Sequence, residues 1–204
     1  LNQRPFRAPH ATITDAGLVG SGRAPHVGEI SLAHRGVLFL DEFPEFRRSV
    51  LEQLRQPLED GIVQISRAGF QILLPARFSL VAAMNPCPCG NLGDPRRSCN
   101  CSAQQIFRYR ARISGPILDR IDLQVHVASL PPEELLATSK AESSTVIRHR
   151  VLNAREKQRL RFGEISNAQC NAEISSKGVR MWCKLSTDAE DLLTRAVRKL
   201  NISA

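Results

Sequence analysis

The chain has 204 residues, room for one medium domain and a small one. No apolar run nears the ~20 residues of a membrane-spanning helix, and no charged segment followed by an apolar one opens the chain as a secretory leader would. The six cysteines, four of them crowded between Cys87 and Cys101, are not the framework of a secreted disulfide scaffold. The expected address is cytoplasmic, with no membrane partner. Lys plus Arg total 28 against 20 acids, a formal net charge of +8. Such an excess suits an anionic partner, or reflects acidic regions of a longer parent, because a chain opening at Leu1 without Met reads as an excised piece.

Val37-Leu38-Phe39-Leu40 is an unbroken apolar run, as in a parallel-sheet strand buried on both faces. Pro44 suits a first helical turn, and Val50, Leu51, Leu54 and Leu58 follow at helical spacing up to Gly61. Ile62–Ser66 and Phe70–Leu74 flank Arg67-Ala68-Gly69 as a β-hairpin. Phe78–Met84 reads as a second central strand, and Ile121–Val127 alternates as a further one before Pro131-Pro132. Beyond the prolines the pattern turns helical. Ser144–Arg161 carries a stripe of Ile147, Val151 and Ala154, and Thr187-Asp188-Ala189-Glu190 reads as a capping box opening a last helix. The expected architecture is α/β, a partial core with a parallel sheet over residues 1–130. A linker at 131–138 and a small all-α unit at 139–204 follow. Cys170 and Cys183 read as ordinary small buried residues.

Leu40 is followed by Asp41-Glu42. A buried strand of a parallel sheet delivers such acids to its C-terminal edge, where open α/β sheets bind ligands. Asp41 would hold hydrated Mg²⁺ bridging phosphates, and Glu42 would polarise an attacking water. The same pattern also fits a strand ending in a solvated acidic turn. Asn85, ending the Leu80–Met84 run, offers an amide for the water or terminal phosphate, the role called sensor 1. Arg120, within Leu118-Asp119-Arg120-Ile121-Asp122, reads as an arginine finger for a neighbouring subunit's nucleotide, or as a salt bridge with Asp119 or Asp122.

Arg4-Pro5-Phe6-Arg7-Ala8-Pro9-His10, Gly28–Glu42, Ala83–Gly90 and Ser114–Asp122 together resemble the ComM/YifB family of magnesium-chelatase-like AAA+ ATPases. The resemblance implies a P-loop NTPase core and a helical lid, a self-assembling hexameric ring, ATP and Mg²⁺ as cofactors, and DNA as partner in helicase or branch-migration work during competence or recombination. It also implies two pore-facing loops, one from Thr12 to Gly28 with Arg23 and one at the Arg67-Ala68-Gly69 tip. Arg23 and Arg67 would then contact DNA phosphates. The alternatives are a chelatase subunit driving Mg²⁺ into a porphyrin and a non-enzymatic, zinc-stabilised DNA-binding module.

A phosphate-binding loop needs Gly-Lys-Ser/Thr, which occurs nowhere in the chain. The family's second sensor arginine is expected past Ser203. The isolated chain is therefore expected neither to bind ATP tightly nor to hydrolyse it. Cys87-x-Cys89 and Cys99-x-Cys101 offer four thiols for a structural zinc, with free thiols or a disulfide as alternatives. Arg108, Arg110 and Arg112, interleaved with Phe107 and Tyr109, fit an inter-subunit interface or a nucleic-acid surface. The arginines from Arg148 to Arg161 read as a solvated helix face.

Overall fold

The computed structural model describes residues 3–22, 25–67, 70–129, 142–163, 168 and 170–200, and the chain divides into two units, Leu1–Ser129 and Leu130–Ala204. The first unit runs β1 (Phe6–Arg7), α1 (Asp15–Val19), β2 (Gly20–Gly22), β3 (Pro25–Val27), α2 (Glu29–Leu32) and β4 (Val37–Leu40). It continues with α3 (Arg48–Glu52), α4 (Arg55–Asp60), β5 (Ile62–Arg67), β6 (Phe70–Pro75), β7 (Ser79–Ala82), α5 (Ala103–Arg110) and α6 (Gly115–Leu118).

β4 is the middle strand of a parallel sheet ordered β1-β4-β7, with Phe6 opposite Val37 and Leu40 opposite Ala82. The chain passes between these strands by long crossovers, as parallel pairing demands. The first crossover contains α1, the β2–β3 hairpin and α2. The second contains α3, α4 and the β5–β6 hairpin. β7, expected as a central strand, is an edge strand among the described residues.

The apolar run of β4 is not buried on both sides. Leu38 and Leu40 are fully buried, whereas Val37 and Phe39 are half-buried. α1, α2, α3 and α6 send buried apolar residues to one cluster, where Leu18, Ile30, Leu51 and Ile117 pack with Leu38 and Leu40. The other face carries a stacked pair, Phe6 on Phe39 at 6.2 Å, and Phe6 is 64% exposed.

The helix expected from Pro44 is divided. Pro44 sits in a 3₁₀ turn, Phe43–Glu45, and two short helices follow with a break at Gln53-Leu54. Pro57 accounts for the break. It has no N–H to give to the carbonyl four residues back, so it is accommodated in the first turn of a new helix rather than inside an old one. Gly61 closes α4 in the left-handed region (φ 68°), as the sequence suggested. The β5–β6 ladder pairs Ile62 with Pro75 and Arg67 with Phe70, matching the expected hairpin. Its Ala68-Gly69 tip lies outside the described residues.

Ile121–Val127 forms no strand among the described residues. Leu123, Val125 and Val127 stand 81–85% exposed, and the segment has no ladder partner among the described residues. Alternation alone supplies no hydrogen bonds; a strand exists only where a neighbour completes its ladder.

The second unit contains α7 (Ser144–Phe162), a 3₁₀ turn (Asn171–Glu173), α8 (Ser176–Trp182) and α9 (Thr187–Leu200). Ser143 caps α7 by accepting from the Val146 amide. Phe162 packs edge-on against Trp182 at 5.2 Å. The start of α9 falls one residue from the expected box: the Ser186 hydroxyl and carbonyl accept from the Ala189 and Glu190 amides, so Ser186 is the cap and Thr187 the first helical residue. Ile147 and Val151 are exposed, so the α7 stripe covers no core among the described residues. Cys183 is exposed and Cys170 half-buried, not buried as expected. The 131–138 linker lies outside the described residues.

Candidate functional site

Backbone hydrogen bonds carry the β4–β7 pairing past the strand ends. The Ala83 amide donates to the Leu40 carbonyl at 2.9 Å, and the Phe43 amide donates to the Ala83 carbonyl at 2.9 Å. Asp41-Glu42 and Met84-Asn85 therefore leave the same C-terminal edge from adjacent strands. Asp41, Glu42 and Asn85 are all exposed. One Asp41 oxygen accepts from the Glu42 amide at 2.9 Å, which leaves its second oxygen open to a ligand. Glu42 adopts left-handed backbone geometry (φ 51°, ψ 45°), uncommon for a residue with a Cβ. That geometry ends the strand alternation, so the two acids do not simply face opposite sides of the sheet.

Arg120 finds its hydrogen-bond partners elsewhere than on these three. Nη2 donates to Glu59 on α4 at 2.5 Å, Nη1 donates to the Pro116 carbonyl at 2.8 Å, and Nε is buried without an acceptor. The pairing partner is Glu59, not Asp119 or Asp122. That hydrogen bond holds the Glu59 carboxyl below the usual glutamate range. Sixty-one positions separate the two residues, and no local pattern marks Glu59.

α5 packs over this edge. Ser102 caps it reciprocally with Gln105 (3.2 and 2.8 Å). Tyr109 is buried, and burial pushes its hydroxyl above the ordinary range, although the Asn85 backbone amide donating to it pulls the other way. Arg110 donates to the Pro86 carbonyl at 3.3 Å. Arg112 donates to the Pro44 carbonyl at 3.2 Å and to Glu45 at 2.7 Å. Arg48, Arg108 and Arg112 line an open cleft of about 400 Å³ beside the Phe43–Glu45 turn. Phe107 is 73% exposed.

The two loops expected at a pore lie against each other at their bases: a Cβ on Gly20 of β2 would come within 2.9 Å of Ile65 Cδ1 on β5. Arg23 lies outside the described residues, and only the backbone of Arg67 is described, paired with Phe70. A contact not anticipated from sequence pins β1 to α2. The Arg7 guanidinium grips Glu29 through two hydrogen bonds of 2.6 Å, which raises the arginine's pKa.

Cys87, Cys89, Cys99 and Cys101 converge, with all four sulfurs within 4.8 Å of one another. Separations of 3.4 Å (Cys87 to Cys89) and 3.6 Å (Cys99 to each of these) exclude disulfide bonds, and every cysteine is free. A zinc ion bonded to four thiolates at ~2.3 Å places its sulfurs roughly 3.8 Å apart. The donor set therefore fits that ion in chemistry and in spacing. The Asn91 and Asn100 amides, donating to Cys89, pull its thiol down to about 6. Cys101 is pushed up to about 12: the Cys89 amide favours its thiolate, but burial and the neighbouring sulfurs outweigh that donor. Four thiolates at this distance repel one another until a cation joins them.

A parallel sheet presenting an Asp-Glu pair beside an amide, followed by a helical unit, is the α/β core of a P-loop NTPase of the AAA+ type. Residues 1–135 match the model for "Magnesium chelatase, subunit ChlI", and residues 141–204 match that for its C-terminal part. The chain belongs to this family, and within it to the ComM/YifB group. It is 50% identical over 203 residues to competence protein ComM of Haemophilus influenzae, covering 98% of this chain and 38% of that one. It is 46% identical over 189 residues to YifB of Escherichia coli (91% and 36%). A more distant likeness, 30% over 128 residues (57% and 13%), is to the DNA replication licensing factor MCM2 of Arabidopsis thaliana. The chain thus spans little more than a third of the length of its nearer relatives. No helix among the described residues is long and apolar enough to cross a membrane.

Proposed function

We propose that this chain carries the hydrolytic edge of an ATP-driven DNA motor, acting in the cytoplasm as part of a hexameric ring. The supporting observation is the adjacency of Asp41-Glu42 and Asn85 at one sheet edge, joined by the Leu40–Ala83–Phe43 hydrogen bonds. In this reading Asp41 uses its open oxygen to hold Mg²⁺, Glu42 takes a proton from the attacking water, and the Asn85 amide orients that water or the terminal phosphate. ATP supplies the phosphoanhydride bond and Mg²⁺ neutralises its charge. Arg120 serves the nucleotide of the next subunit, which agrees with its finding no partner at Asp41 or Glu42. Arg23 and Arg67, on loops whose bases adjoin, contact DNA phosphates. The four cysteines hold a structural Zn²⁺, which closes all four coordination positions and leaves none for catalysis. The domain division follows the sequence, with the core up to residue 130 and the lid from 139.

With no Gly-Lys-Ser/Thr in the chain, it does not hydrolyse ATP by itself; turnover by the isolated chain would displace the site. In the full-length protein, Glu42→Gln abolishes hydrolysis and retains nucleotide binding. Sustained turnover in that variant refutes the assignment. The family's name attaches to magnesium chelatase, the competing reading. The two separate on stimulation, because DNA accelerates a motor and a porphyrin-binding partner accelerates a chelatase. The likeness to a competence protein and to a DNA replication factor favours DNA.

A further inference from the structure

We infer that the four-cysteine loop is a metal-operated staple that sets where Asn85 and α5 stand against the Asp41–Glu42 edge. The inference rests on the zinc and nucleotide readings above, and goes beyond them by making metal occupancy a control on the site.

The loop's position carries the argument. Cys87 lies two residues after Asn85, and Cys101 immediately precedes Ser102, the cap of α5. A cation bound by all four sulfurs therefore ties the end of β7 to the start of α5. Between those points the chain has only turns and bends. Its own bonds are short-range: the Gly90 amide to the Cys87 carbonyl at 3.0 Å, the Asp94 amide to the Asn91 carbonyl at 3.1 Å, and the Arg96 amide to Asp94 at 2.8 Å. Gly90 and Gly93 adopt left-handed φ values of 81° and 85° with open space around them, so packing does not hold them either. The ties described across the gap from Cys89 to Cys99 run through the sulfurs themselves, with the Asn100 amide donating to Cys89 and the Cys89 amide to Cys101, so they depend on the cluster that the cation would hold together.

The inner end is anchored. Cys87 is fully buried, next to the Pro86 carbonyl that Arg110 holds and the Asn85 amide that faces Tyr109. The outer end transmits through α5. Arg112, just beyond its last turn, grips the Pro44 carbonyl and Glu45, three residues past Glu42. Removing the cation releases both attachments together, the strand end that presents Asn85 and the helix that braces the turn after Glu42. β4 keeps its place, because Leu38 and Leu40 are held in the core independently of the loop. The cysteines are positioning residues: they act through Asn85 and α5.

The test uses this chain with Zn²⁺, then with Co²⁺ in its place, because tetrahedral thiolate–cobalt gives an intense near-ultraviolet charge-transfer band. Amide hydrogen exchange is read with and without metal. Stripping the metal should speed exchange at Asn85, Cys87 and α5 at least tenfold and leave Val37–Leu40 and the β5–β6 ladder unchanged. Cys99→Ser should lose the band and show the same local loosening, and Cys99→His should recover both. In the full-length protein, Cys99→Ser should lower kcat for ATP several-fold with KM nearly unchanged. Failure to take up either metal overturns the zinc reading and the staple with it. Uptake with unchanged exchange at Asn85 and α5 overturns the staple and leaves zinc standing. Exchange that rises equally across β4 also overturns it, since the metal would then be a general support of the fold. None of these outcomes depends on ATP, so a failed Glu42→Gln test strikes the nucleotide reading separately.

Discussion

Replacing Leu40 by Ala and, separately, Phe39 by Ala weighs the two faces of β4 against each other. Leu40 is fully buried, in one cluster with Leu38, Ile30 and Leu51. Leu→Ala removes three carbons, about 2.4 kcal/mol at ~0.8 kcal/mol each. The cavity left behind raises the total to about 3–5 kcal/mol. Phe39 is larger but half-buried, and its stacking partner Phe6 is 64% exposed. Its truncation should cost about 1–2 kcal/mol, since much of the ring stays in water in the native state. Urea titration of both variants, followed by far-ultraviolet circular dichroism, compares midpoints at constant slope. Leu40→Ala should fall well below Phe39→Ala. Equal costs, or a greater cost at Phe39, would refute a β4 covered on one side and the placement of the acidic edge built on it.

Gly36→Ala should be among the most damaging single changes, because its methyl would fall onto the Pro5 carbonyl, the acceptor of the Val37 amide at 2.9 Å. Loss of soluble folded protein is expected, and a variant with an unchanged urea midpoint would contradict the β1–β4 pairing. His34 accepts from the Arg77 amide at 3.1 Å, and its pKa is lowered by burial and then by Arg35 and Arg77. The folded state therefore disfavours the proton: the stability is present above the unfolded value of 6.5 and is lost as pH falls from there through the lower folded value. Urea midpoints at pH 7 and pH 5 should diverge for the natural chain, and the difference should shrink in His34→Gln; an identical difference in both would remove His34 from the account. In the full-length protein, Arg120→Ala and Glu42→Gln should each abolish turnover. Mixed together they should regain part of it, since one interface then pairs an intact Arg120 with an intact Glu42; no recovery on mixing would place Arg120 in its own subunit's site.

What could be read from the sequence followed from signals carried by neighbouring residues. The strand before Asp41-Glu42, the hairpin around Arg67 and the stop at Gly61 each depend on a few consecutive side chains. The sidedness of β4 was not legible, because Val-Leu-Phe-Leu is apolar throughout and only the positions of the helices decide which residues face them. Pro57 was visible, but its effect on the helix around Gln53 needed the position of the first turn. Ile121–Val127 has the alternation of a strand, and alternation cannot report whether a partner strand is present. Glu59 and Glu29 were missed because their arginines lie 61 and 22 positions away, and charged residues of either sign are common on any surface. That the four cysteines form one group was legible from spacing alone, and their sulfurs do converge. The group's attachment to Asn85 on one side and α5 on the other required the fold.

The left-handed backbone at Glu42 sets local stability against the chemistry proposed for the site. Glycine or asparagine would occupy that conformation with less resistance, so a Glu42→Gly chain should be somewhat harder to unfold than the natural one. On the reading proposed for this edge, the carboxylate that meets the attacking water stands on a backbone that a residue without a Cβ would adopt more easily, so the site and the fold pull in opposite directions at this one position.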